Sequence, residues 1–401
     1  MRSLMINTGK TKTPTNHQNS SNLRDSRIES LRIIAMFLIV LCHFTIHINW
    51  KLLELPGIRG AVAHLLVDGG QVGVVIFFSI TGYYLSTSRF KAKRLVSTWI
   101  QTFLYSFACL VVGFIGWKVG WWPQLRTLLM GFNGTHTVEL MLMPVISREY
   151  WFVSAYFLLL LLVPVLNVVI THVHRTYMQC LLYGLIVISL LPIIGLGSFQ
   201  PYDSTVYAIT CYLIGGYLRK YGEKINISPL KCTGGVLAAM VLFGMVHYAM
   251  AVPSPIAKYF GWNSLLNMSI RTPGLIIGTL IFASVLSNSH PWSRRTINIA
   301  ATGMFGVYLI HENWLGARIL WYVVNELVPI PRRTIAKILI GAVLVTIIFV
   351  ILTAISLIFD FLIVHPVQHL VSKIWKHMKQ HFANRHDRIR NQSALSVSST
   401  L

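Results

Sequence analysis

The chain has 401 residues, 54% of them hydrophobic and only 11% charged, with 34 Lys and Arg against 12 Asp and Glu and a net charge of +22. A soluble domain carries roughly 25% charged residues, so this composition excludes an ordinary globular protein and points to a helix bundle in lipid. So large a surplus of base in a soluble chain would point to nucleic acid. Here the bases gather in particular loops, which orientation in a membrane explains without a nucleic-acid partner.

Residues 1–26 are polar, rich in Ser, Thr and Asn, and hold no apolar run. They read as a disordered cytoplasmic leader and not as a signal peptide, because the first apolar run opens near Leu31 and has no small-residue cleavage pattern. From there the chain is expected to form an all-α integral membrane protein of about ten transmembrane helices, since runs of about 20 apolar residues span ~30 Å of hydrocarbon. The predicted spans are 31–49, 70–88, 95–117, 151–170, 177–197, 204–218, 233–251, 265–286, 297–323 and 336–364, within a transmembrane body of 27–364.

The first span carries Arg32 and His43, eleven residues apart. At 100° per residue they lie ~20° from the same face and ~16 Å apart along the axis, with Glu29 and His47 on the same stripe. Ionisable groups at membrane depth are costly, so the pair is a candidate functional site. Its simpler alternatives are a histidine bonded to a neighbouring helix and an arginine reaching back to the interface.

In the second span, Gly70, Gly73 and Gly82 permit close helix approach, and Ser79 and Thr81 can bond neighbouring backbone. Arg89, Lys91, Lys93 and Arg94 follow it. They serve as a topology signal, or more sharply as an anion site for a phosphorylated cofactor. The segment 118–150 is predicted to lie on the outer membrane surface or to cover a cavity. Glu149, Tyr150 and Trp151 open the fourth span, either as an interfacial belt or as a contact for sugar hydroxyls and rings. Arg271 sits in the eighth span two residues before Pro273, where it is either structural or a substrate contact. The ninth places His311 and Glu312 side by side, with Arg318 seven residues on along the same predicted helix face, and His311 is either a link to neighbouring helices or a substrate contact.

An even number of spans puts both termini on one side. With that side cytoplasmic, 22 Lys and Arg fall inside and nine outside, and Arg32, Arg271 and Arg318 remain within spans. The bias predicts cytoplasmic termini. Residues 365–390 alternate apolar side chains with Lys373, Lys376 and Lys379 as a basic amphipathic helix expected to lie on membrane lipids, and 391–401 read as a disordered tail. Five scattered cysteines form neither a metal-ligand spacing nor a disulfide framework.

Taken together, Arg32 through His43, FFSITGYYL at 77–85, YWFVSAYFLLLLLVPVLN at 150–167 and GVYLIH at 306–311 resemble the membrane-bound acyltransferase 3 family. The resemblance implies acetyl-CoA or another acyl-CoA as donor, no metal, and a glycan or lipid-linked sugar as hydroxyl acceptor. It also implies a multi-pass place in the plasma membrane of a bacterium. By that likeness His43 matches the catalytic histidine and Arg32 its paired arginine. Arg89 and Arg94 approximate the family's basic pair at a wider spacing, with Lys93 between them as a further cofactor contact. Tyr83, Ser79 and Arg271 are candidate oxyanion donors. The function expected is O-acetylation of an exopolysaccharide or other surface glycan, with His43 as general base or as an acyl carrier. The rivals are a proton-coupled glycan or lipid transporter with His43, Arg271, His311 and Glu312 as its relay, and a non-catalytic membrane scaffold.

Overall fold

The computed structural model describes residues 24–120, 142–147, 150–191, 204–225, 228–252, 255, 271–287, 290–378 and 380. Among them there is no strand. The helices are α1 (Ser26–His47), α2 (Ile58–Leu85), α3 (Ala92–Val119), α4 (Trp151–His172), α5 (Arg175–Ile188) and α6 (Ser204–Ile225). They continue with α7 (Pro229–Ala251), α8 (Arg271–Ser287), α9 (Arg295–Thr302), α10 (Met304–His311), α11 (Trp314–Leu327) and α12 (Thr334–Phe359). Among the described residues six helices are long and apolar enough to cross a membrane: α1, α2, α4, α7, residues Ala92–Gly116 of α3, and the run Thr334–Met378 that contains α12. Helices α5 and α8 are apolar but shorter. Along α12, Ile338, Leu339, Val343, Ile347, Val350, Ile351 and Ile358 are exposed, the signature of a helix whose outer face meets hydrocarbon instead of water.

Helix α2 is the centre, and α1, α6, α7 and α8 all pack on it. The sequence allows this through small residues. A Cβ at Gly73 would collide with the Ala35 carbonyl of α1, and one at Gly82 with the Tyr212 carbonyl of α6. Only the missing side chain lets those backbones approach. Ser79 Oγ seals the α2–α6 crossing by donating to the Cys211 carbonyl at 3.2 Å. The cytoplasm-facing ends expected from the charge bias are tied by side chains. Asn167 Nδ2 donates to the Leu85 carbonyl at 2.9 Å, and the Tyr212 hydroxyl donates to Asn167 Oδ1 at 2.6 Å.

Three expectations change. The hydropathy predicts the second span at 70–88, yet α2 starts at Ile58. His64 and Asp68 depress the hydropathy there but are buried and satisfied. Asp68 Oδ2 meets His247 Nε2 of α7 at 2.7 Å, and the His64 ring stacks on His247 at 5.4 Å. The ninth span, expected as one helix over 297–323, is three helices. Asn313 leaves helical geometry at φ −59°, ψ 136°, and its Oδ1 accepts from the Leu315 and Gly316 amides, starting α11 afresh. His311 and Arg318 therefore do not share a helix face. The basic stretch from 365 is no separate helix at its start, because α12 runs on through a π-turn at Asp360–Val364 to Met378. Most of the expected outer segment 118–150, with Glu149, and the tail beyond 380 lie outside the described residues.

Candidate active site

α1 and α2 run antiparallel in close contact. A Cβ at Gly70 would meet Cys42, so His43 lies at the depth of Gly70, well inside the bundle. Opposite His43 comes α10. This short helix packs on α3 and α12 through Gly306, where a Cβ would strike both the Tyr105 hydroxyl and Ser356 Oγ. That close seat turns the end of α10 towards α1. His311, fully buried, places Nε2 3.0 Å from His43 Nδ1, and the other nitrogen of His43, Nε2, is 3.0 Å from Glu312 Oε1.

Hydrogen-bond logic orders the protons along this chain. The Val307 carbonyl, 2.6 Å from His311 Nδ1, can only accept, so His311 Nδ1 carries its hydrogen. Neutral His311 then offers Nε2 as an acceptor, and His43 Nδ1 donates to it. A single further proton is shared between His43 Nε2 and the Glu312 carboxyl. The three side chains bring ligand atoms within 4.8 Å of one another, a spacing that could hold a divalent ion.

The break after α10 positions Glu312. Asn313 caps α11 with its oxygen and donates through Nδ2 to the Tyr150 hydroxyl at 2.8 Å, while that hydroxyl donates to the Leu309 carbonyl at 2.9 Å. Tyr150 is wholly buried, so it braces the site from behind instead of forming part of a lipid-facing belt. Trp151 is half-buried, edge-on to Phe152. Glu149 lies outside the described residues.

Towards the other end of α1, Arg32 pairs with Glu29 at 2.7 Å. The half-buried Tyr156 of α4 lies within electrostatic reach of both Arg32 and Arg94, two of the expected cofactor arginines. Arg94 Nη1 also donates to Ser88 Oγ at 3.1 Å. Arg89 and Lys93 are exposed, and Lys93 lines a groove on α3 shared with the extension of α12. Arg271 reaches Ser204 Oγ at 3.1 Å and stacks over the Tyr207 ring at 5.1 Å, which ties α8 to α6. Of the three oxyanion candidates, Ser79 already serves the α2–α6 crossing. Tyr83 takes a 2.9 Å hydrogen bond from Arg219, and both lie ~13 Å or more of helix below Gly70. His47 stacks on Trp321 at 5.6 Å beside the site.

The structure thus joins His43 and His311, adds Glu312 as a direct partner, and adds Asn313 and Tyr150 behind it. The His–Glu adjacency in GVYLIHENW was the readable signal for Glu312. Nothing in the local sequence announced that Asn313 breaks the helix to present it.

A family model described as an acyltransferase domain, that of the acyltransferase 3 family, matches residues 25–361. No curated protein and no solved structure matches the chain.

Proposed function

The chain belongs to the acyltransferase 3 family and is a membrane acyltransferase, and on that premise we propose that it moves an acetyl group from cytoplasmic acetyl-CoA to a hydroxyl of an exopolysaccharide or other surface glycan. In this reading it sits in the cell membrane with both termini in the cytoplasm. The observation that carries the proposal is the Glu312–His43–His311 chain near the C-terminal end of the helix that also bears Arg32.

Arg32 and Arg94, both within electrostatic reach of Tyr156, hold the anionic end of the cofactor, and Arg89 adds charge at the mouth. The pantetheine arm follows α1 inward, and the ~16 Å between Arg32 and His43 separates phosphates from thioester. The acceptor hydroxyl meets His43 Nε2 as Glu312 draws off the shared proton. The Nε2 lone pair takes the hydroxyl proton while the oxygen forms its bond to the thioester carbon. The carbon–sulfur bond then breaks, and the same nitrogen returns the proton to the departing sulfur. The products are an ester and free CoA, with no net proton change. His311 keeps the His43 ring in one tautomer, and Glu312 holds the displaced proton while His43 Nε2 works as the base.

The rival relay of His43, Arg271, His311 and Glu312 is not favoured, since Arg271 is engaged by α6. The test compares wild type, His43→Ala and Glu312→Gln at matched expression, measuring thiol release from acetyl-CoA and acetylation of surface glycan by mass spectrometry. Loss of both readouts in both variants is expected. Full thiol release and acetylation in His43→Ala would refute the mechanism, and transfer of longer acyl groups in preference to acetyl would refute the donor.

A further inference from the structure

The run Thr334–Met378 is a single helix of 45 residues, and at 1.5 Å per residue it is ~67 Å long, more than twice a hydrocarbon core. Its last stretch lies past residue 361, where the family match ends. That stretch and the π-turn leading into it are held against α3. Tyr105 and Gln101 of α3 donate to Asp360 Oδ1 at 2.9 and 3.1 Å, and Gln368 Nε2 donates to the Ser97 carbonyl at 3.0 Å. A groove of about 690 Å³ runs between the start of α3 and this extension.

The walls of the groove divide by chemistry. Phe90, Val96, Ile100 and Trp375 supply an apolar side, while Lys91, Lys93 and Lys376 supply cations. His365 and His369 also line it, and none of its described lining residues is acidic. Phe90, Val96 and Trp375 are 45%, 39% and 50% exposed, so the apolar side opens outward. Gln101 and Tyr105, which follow Ile100 on α3, are engaged with Asp360 of the extended helix. The groove is not lined by His43, His311 or Glu312. A molecule with an anionic head and an apolar chain fits both sides of it.

We propose that this groove binds an anionic phospholipid, its headgroup phosphate among Lys91, Lys93 and Lys376 and an acyl chain along Val96, Ile100 and Trp375. The bound lipid bridges α3 and the extension of α12, adding to the hydrogen bonds that already join them. The inference is independent of the acyl-transfer reaction.

The full chain in phosphatidylcholine nanodiscs tests it, with brominated phosphatidylglycerol or brominated phosphatidylcholine added at equal mole fraction. The fluorescence lost in Trp375→Phe isolates the reporter. Quenching by the anionic lipid is expected to exceed that by phosphatidylcholine by about fivefold, the worth of one lysine's attraction to an anionic surface. The excess should vanish in the combined Lys91→Gln, Lys93→Gln, Lys376→Gln variant and shrink at about 1 M salt, where the Debye length is ~3 Å. Equal quenching by the two lipids, or an excess that survives the triple variant, overturns the proposal. Displacement of the brominated anionic lipid by millimolar inorganic phosphate or acetyl-CoA overturns it too, by showing that the groove takes a soluble phosphate.

Discussion

His43 divides its two ring nitrogens between His311 and Glu312, and the two partners do different work. Glu312 exchanges a proton with the reactive nitrogen, so Glu312→Gln should cut turnover by about 10²–10⁴, the range for a positioned acid–base group, with the melting temperature little changed. His311→Ala leaves Nε2 and Glu312 in contact and only frees the ring to tilt. Its loss of turnover should be smaller than that of Glu312→Gln in the same assay, and the opposite order would reassign the base. Arg32 and His43 were legible in the sequence because period 3.6 puts them on one stripe. Glu312 was visible as a neighbour of His311 but not as the partner of His43, since that contact joins α1 to a distant segment of the chain through a helix break that no local pattern dictates.

Between elements, the contacts that decide stability are close crossings and one buried pair. A Cβ at Gly82 lands on the Tyr212 carbonyl, whereas one at Gly184 of α5 meets open space. Gly82→Ala should therefore lower stability by about 1–3 kcal/mol, the usual cost of overpacking, while Gly184→Ala stays neutral or better in the same thermal-unfolding assay. His247→Ala removes the partner of buried Asp68 and should cost about 3–5 kcal/mol, in line with breaking a buried pair from one side. The glycine crossings could be anticipated from spacing in the second span. The His64, Asp68 and His247 group could not. Its polar residues look like the end of an apolar run, and only the approach of α7 turns them into helix interior. The same blindness merged α9, α10 and α11 into one span, because Gly303 and Asn313 are weak breakers until α12 and Tyr150 make the breaks definite.

For the whole molecule, the charge bias predicts that the turn before α2 and the turn after it face opposite sides. On a background without its native cysteines, Glu54→Cys should react with a membrane-impermeant thiol reagent added to intact cells, and Thr87→Cys should react only after lysis. Labelling of both from outside would reverse or break the orientation. Orientation matters because the reaction proposed joins a cytoplasmic donor to an acceptor that arrives by another route, and the donor pool is always present. A waiting thioester is exposed to a competitor far more abundant than any sugar, namely water. The arrangement at His43 bears on that hazard. With both ring nitrogens engaged, the resting enzyme has no idle base with which to activate a passing water molecule, and only an acceptor that displaces the Glu312 contact uncovers one. Wild type should consume acetyl-CoA slowly without glycan. Glu312→Ala, which leaves Nε2 uncovered, should release thiol by hydrolysis at a larger share of whatever turnover it retains.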